Sequence, residues 1–134
     1  MMKATDFNLA IFQIHLDNLQ ITQKQIEELL EEEEEDDDGM LRPTIEAFEQ
    51  ALFLVNEAAK IMRTGFGKAW VCSDDEGGIT LTWSRTQPEA EVRLICHARN
   101  SEKTYIYHEY GDDYAVVEVD SAILAHWLNW LNRV

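Results

Sequence analysis

Gly77-Gly78-Ile79-Thr80-Leu81-Thr82-Trp83-Ser84 sets a pair of glycines before a strict alternation of apolar and polar side chains. Successive residues of a strand point to opposite faces, so Ile79, Leu81 and Trp83 share one face and Thr80, Thr82 and Ser84 the other. That is the signature of a strand covered on one side only. A Gly-Gly pair supplies the backbone freedom that a tight turn into such a strand needs.

Reading outward, the same period of two recurs in Trp70-Val71-Cys72, Val92 to Cys96, Tyr105-Ile106-Tyr107 and Tyr114 to Val119. Turn-forming stretches separate these segments: Asp74 to Gly78, Arg85 to Glu89 around Pro88, Arg99 to Lys103, and Gly111-Asp112-Asp113. Parallel pairing requires a crossover of a dozen or more residues, so connections this short imply an antiparallel meander of five strands. Asp120 or Ser121 is placed to cap a last helix, in which Ile123, Leu124, Trp127, Leu128 and Leu131 form an apolar stripe able to cover the sheet.

Before the sheet the period is helical. Ile45, Phe48, Leu52, Val55, Ala59 and Met62 step 3-4-3-4-3 after Pro43 and the capping residue Thr44, with Glu46 in the first turn and Gly65 as the residue that ends the helix. Further upstream, neither Pro nor Gly occurs from Thr5 to Asp38, and Leu9, Phe12, Leu16, Leu19, Gln23, Ile26 and Leu30 follow a heptad, with Thr5 or Asp6 as its cap. A rival reading makes Phe12/Ile14/Leu16 and Leu19/Ile21 two strands around Asp17-Asn18; the heptad's continuation through Ile26 and Leu30 favours the helix. The expected fold is therefore α+β: two N-terminal helices, a five-stranded meander and a C-terminal helix packed on the sheet. Residues 1–35 are expected to form the heptad-patterned helix, 36–43 an acidic linker and 44–134 the α+β domain.

The 134 residues carry 26 acids and 11 bases, a formal charge of −15, yet ten of the acids fall between Glu27 and Asp38. The remaining 122 residues hold 16 acids and 11 bases, a net −5 typical of a soluble domain. Eight successive acids from Glu31 to Asp38 repel one another and oppose the negative end of a helix dipole, so the first helix is expected to fray there. Negative charge disfavours phosphate backbones and anionic headgroups, so neither nucleic acid nor a membrane surface is an expected partner. Apolar runs such as Leu9 to Phe12 are too short to span a bilayer, and the N-terminus lacks the apolar core of a secretory signal. A cytoplasmic location with reduced thiols is expected for Cys72 and Cys96, both read as small core residues.

Gly77-Gly78-Ile79-Thr80-Leu81-Thr82-Trp83, preceded by the Ala51/Leu52/Ala58 helix and followed by Tyr105-Ile106-Tyr107, resembles a family of small uncharacterised bacterial proteins with a helix followed by a GG-Ile-x-Leu-x-Trp hairpin. The resemblance covers about residues 44 to 131. It implies the α+β fold and no activity.

Chemistry-bearing residues are sparse in pattern. Cys96-His97 with Cys72 and His108 could offer four zinc ligands, but no close Cys pair is present, and neighbours in a strand point to opposite faces. A thiolate nucleophile at Cys72 or Cys96, with His97, His108 or His126 as base, lacks a helix N-terminus to lower the thiol pKa. Asp74-Asp75-Glu76 and Asp112-Asp113 belong to opposite ends of a meander, and Gly65-Phe66-Gly67-Lys68 lacks Walker spacing. No catalytic residue, metal or cofactor is assigned. His15 and His126 are expected on helix surfaces, and Trp70, Trp83 and Trp127 in the core, with Trp130 at the margin of its stripe.

Two functional classes follow. The first is a non-enzymatic acidic protein-interaction module, chaperone-like or antitoxin/immunity-like, forming a homodimer or larger homo-oligomer and holding a protein partner of unknown identity. Its interface would use Leu9, Phe12, Leu16, Leu19, Ile26 and Trp130. The second is a small-molecule-binding or catalytic module with a pocket between sheet and helices lined by His97, His108, Tyr105, Tyr107 and Arg93.

Overall fold

The computed structural model describes residues 4–31, 42–99 and 103–134. Helix α1 (Ala4–Leu29) and helix α2 (Ile45–Met62) precede strands β1 (Trp70–Ser73), β2 (Ile79–Thr86), β3 (Glu89–Cys96), β4 (Tyr105–Tyr110) and β5 (Asp113–Glu118), and helix α3 (Ser121–Arg133) closes the chain. The strands pair antiparallel in the order β1-β2-β3-β4-β5, the expected meander. Segment 12–21 is helix, not hairpin. Most of the acidic run and of the 36–43 linker lies outside the described residues.

Register follows the alternation. Leu81 pairs with Val71 and Leu94, and Leu94 with Ile106, so these side chains form one apolar row beneath the helices. Ile79, Leu81 and Trp83 are buried while Thr80 and Thr82 are half-buried and Ser84 is exposed. All three helices lie on this one face: α2 packs between α1 and α3, α1 reaches β1, and α3 reaches β2 and β3. Among the described residues the opposite sheet face carries no helix. Trp70 and Cys72 share that face with Thr80 and Thr82 by register, which corrects two expectations: Trp70 is 74% exposed and Cys72 is exposed, whereas Cys96 is fully buried.

Helix α2 has two helical neighbours and therefore buries more than one stripe. Ala47, Ala51, Leu54, Val55, Ala58, Ala59 and Met62 are buried, while Ile45 of the expected seam is exposed and Phe48 and Leu52 are half-buried. Alanines at these positions let neighbouring helices approach closely. Thr44 anchors the start: its hydroxyl donates to Ala98 O at 2.7 Å and accepts from Ala47 N–H at 3.1 Å, while its own N–H donates to Gly77 O at 2.9 Å. Gly77 has φ +87°, and a Cβ on Gly78 would stand 2.7 Å from Cys96 O, so the double glycine is sterically required where hairpin and helix start meet. At the other end Arg63, with φ 68°, takes a positive-φ turn directly after α2, in which Thr64 N–H donates to Met62 O at 2.8 Å, and Gly65, the residue expected to end the helix, follows two residues later. Helix α1 begins at Ala4, ahead of the expected caps, placing Asp6 in its first turn, where its charge favours the dipole.

The buried face of α1 is largely polar. His15 and Thr22 are buried beside Ile26, and with Asn18 and Gln25 they hydrogen-bond the irregular chain between α2 and β1. His15 Nδ1 accepts from Phe66 N–H at 3.0 Å, and Asn18 Nδ2 donates to Phe66 O at 3.0 Å. Thr22 Oγ1 accepts from Ala69 N–H at 3.1 Å and donates to Asn18 O at 2.9 Å. Gln25 donates to Ala69 O at 2.8 Å and accepts from Val71 N–H at 3.1 Å. Trp83 Nε1 donates to Gly67 O at 2.8 Å and Asn132 Nδ2 to Gly65 O at 2.8 Å. Among the described residues no buried side-chain polar atom lacks a partner. Replacing Thr22 by valine keeps the shape but orphans the Ala69 N–H; urea unfolding is expected to show a loss of about 1–3 kcal/mol, and an unchanged midpoint would contradict the role given to this side chain.

Candidate functional site

The proposed interface residues fall into two groups along α1. Ile26 is fully buried and thus belongs to the core rather than to an outward seam, and Leu16 and Leu19 are half-buried. Leu9 and Phe12 face solvent. None of the residues from Asp6 to Ile14 is buried, and Phe7, Leu9 and Ile14 are 56%, 61% and 59% exposed. The first part of the helix is thus apolar and uncovered, while its second part is locked to the body. A groove of about 450 Å³ between α1 and the end of α2 continues the Leu9 and Phe12 side of this surface, lined by Phe12, Leu16, Leu19, Ala59 and Arg63 among others.

The five proposed pocket residues are not brought into one cavity. Arg93, Tyr105 and Tyr107 lie on the open sheet face, where the Arg93 guanidinium sits 5.8 Å from the Tyr107 ring centre and 3.0 Å from Glu91. Tyr107 donates to Glu109 at 2.8 Å, which holds its hydroxyl pKa above the ordinary value. His97, just beyond β3, has its ring 5.5 Å from that of Tyr105. His108 lies on the helix side, stacked on Trp127 at 3.6 Å between ring centres with 16° between planes. Trp130 is half-buried and stands edge-on to Trp127 at 5.3 Å and to Tyr110 at 6.3 Å.

The thiols are separated by the sheet itself. Cys96 pairs with Ile79 on the helix side, and Cys72 pairs with Thr80 on the open side. Burial pushes the Cys96 thiol up to about 12, and partial burial followed by the nearby Asp74 charge raises that of Cys72. Among the described residues no three His, Cys, Asp or Glu side chains converge as a metal site. Asp74 serves its own turn, accepting from Glu76 N–H and Gly78 N–H at 2.8 Å each.

His15 is the residue whose placement departs furthest from expectation: it is buried, flanked by Phe12 in a stacked contact and Phe66 edge-on. Its neighbours at i+3, i+7 and i+10, which are Asn18, Thr22 and Gln25, carry the only sequence signal that would have revealed this, a polar heptad beside the leucine one. Desolvation lowers the His15 pKa, and desolvation with the nearby His126 lowers that of His108.

Comparison with protein-family models, curated proteins and solved structures returned no match to this chain.

Two outcomes follow. A histidine whose folded pKa is depressed is neutral in both states above the free imidazole value of about 6.5, and it destabilises the fold as pH falls below that value and the unfolded chain takes up the proton. His15→Asn retains an acceptor near the Nδ1 position without the titration. Its melting temperature is expected to fall less than that of the native chain between pH 7 and pH 5; parallel pH profiles would contradict the buried neutral imidazole. Under native conditions a thiol reagent is expected to modify Cys72 and spare Cys96, read by mass spectrometry; equal labelling would contradict their placement.

Proposed function

We propose that this chain is a non-enzymatic protein-interaction module that self-associates through the exposed first part of α1. The observation that carries this reading is the exposed apolar stripe of Leu9 and Phe12, continuous with the groove beside Leu16 and Leu19. The occupant is a second copy of the same helix. Leu9, Phe12, Leu16 and Leu19 step 3-4-3, the spacing by which helices interlock, and from Phe7 to Gln23 the only acid is Asp17. Two copies of a chain with charge −15 can approach along this segment with little repulsion.

The uncovered sheet face supports a partner-holding role. By register, Thr82, Arg93, Tyr107 and Val116 form one row on that face, with Trp70 at its end, and Glu91 and Glu109 stand in the next. Aromatic groups set among carboxylates suit a basic protein partner, whose association would weaken with salt. The non-enzymatic reading is supported by the scatter of the reactive groups: the thiols lie on opposite faces, His15 serves as a core acceptor and His108 lies under Trp127.

Sedimentation velocity on the full chain at about 10 μM is expected to give a dimer, and Leu9→Lys with Phe12→Lys a monomer that still unfolds cooperatively. A native chain that sediments as a monomer throughout the micromolar range would overturn the proposal.

A further inference from the structure

We propose that the groove between the last turns of α3 and the β4–β5 hairpin binds an organic cation, a quaternary or alkylated ammonium head. The cavity measures about 490 Å³, and its aromatic walls are Tyr110, Trp127 and Trp130, the Tyr114 ring lying against Tyr107 on the open sheet face. Trp127 and Trp130 stand at 75° to each other, and Tyr110 at 71° to Trp130, so the rings meet as near-perpendicular walls rather than as a stack. Aromatic faces carry negative quadrupole density, and converging faces attract a cation that sheds water readily.

The charge at the groove has the matching sign. Asp113 is the one acid on its wall, shares the helix-side sheet face with Tyr110 by register, and forms no ion pair among the described residues. His108 adds no positive charge at neutral pH, since desolvation and then the nearby His126 hold its pKa below the ordinary value. At the end of α3, Arg133 stands in the last turn but not on the groove's wall, and Arg85 donates to Leu131 O, Asn132 O and Val134 O and directs its charge there. An uncharged apolar ligand would fill the same walls, so discrimination by charge defines the site.

The test uses the four indole N–H resonances of the ¹⁵N-labelled full chain, assigned by single Trp→Phe variants. Titration with choline, with an Nε-trimethyl-lysine dipeptide and with 3,3-dimethylbutan-1-ol, the neutral isostere of choline, compares the charged heads with an uncharged one. Saturable shifts of Trp127 and Trp130 with Trp70 and Trp83 unmoved, and binding of the cations at least about tenfold tighter than the alcohol, are the expected result. Tighter binding of the dipeptide assigns the head to a partner's side chain, and tighter binding of choline to a free ligand. Asp113→Asn, at an exposed position, is expected to weaken the cations several-fold and leave the alcohol and the melting temperature unchanged. No saturable shift at millimolar cation, or equal affinity for the alcohol, overturns the proposal. The Leu9→Lys, Phe12→Lys chain is expected to give the same titration, which separates this site from self-association.

Discussion

The chain between α2 and β1 has no helix or strand of its own from Arg63 to Ala69, yet Phe66 and Ala69 lie buried. Backbone groups in that position must find partners, since a buried unpaired amide or carbonyl costs about 1–3 kcal/mol. For the two buried residues, Phe66 and Ala69, the partners come from one helix. His15, Asn18, Thr22 and Gln25 of α1 take up Phe66 N–H and O, Ala69 N–H and O, and Val71 N–H. The helix layer is tied to the sheet through this contact, because the segment it satisfies leads directly into β1. The Trp83 indole, bonded to Gly67 O and edge-on to Phe66, extends the tie into β2.

This constraint divides α1 into a packed part and an exposed part. From His15 onward the helix is held to α2 and β1, with Gln23 donating to Asn56 on α2 and Ile26 in the core. Before His15 none of the residues from Asp6 to Ile14 is fully buried, and Phe7, Leu9, Phe12 and Ile14 are exposed although apolar. A helix fixed along half its length presents the other half in a defined direction, which lowers the entropic cost of pairing it with another copy. The sheet is arranged in a comparable way: one face packed, one face open, with edge-on aromatics gathered where α3 meets the β4–β5 end.

The sheet was legible because its side chains alternate strictly and its turns are marked by Gly, Pro and Asp. The antiparallel meander followed from connection length, and the burial of Ile79, Leu81 and Trp83 from their shared face, while the order of the strands came with the fold. The core-facing side of α1 was hidden for a physical reason. Its contacts are hydrogen bonds to a neighbouring backbone, so the face that packs is polar, and apolar periodicity points to the leucine stripe instead. Trp70 and Cys72 were misjudged because a three-residue alternation does not reveal which of its two faces a helix will cover. The α2 seam was displaced because alanines, which carry little hydrophobic signal, occupy much of its packed surface. The candidate groove was less legible still: Trp130 stood out as surplus to the α3 stripe, but its place beside Tyr110 in a groove that Asp113 also lines depends on β4 and β5 register that only the fold supplies.

Native-state hydrogen exchange on the full chain tests the central claim, that α1 is a structural part of the fold through its polar stripe. The amides of Phe66, Ala69 and Val71 should exchange only through global unfolding, with the same free energy as the slowest amides of β2 and β3. Rapid exchange at these three positions, while the central strands stay protected, would mean that α1 leaves the body without unfolding it and would contradict the account.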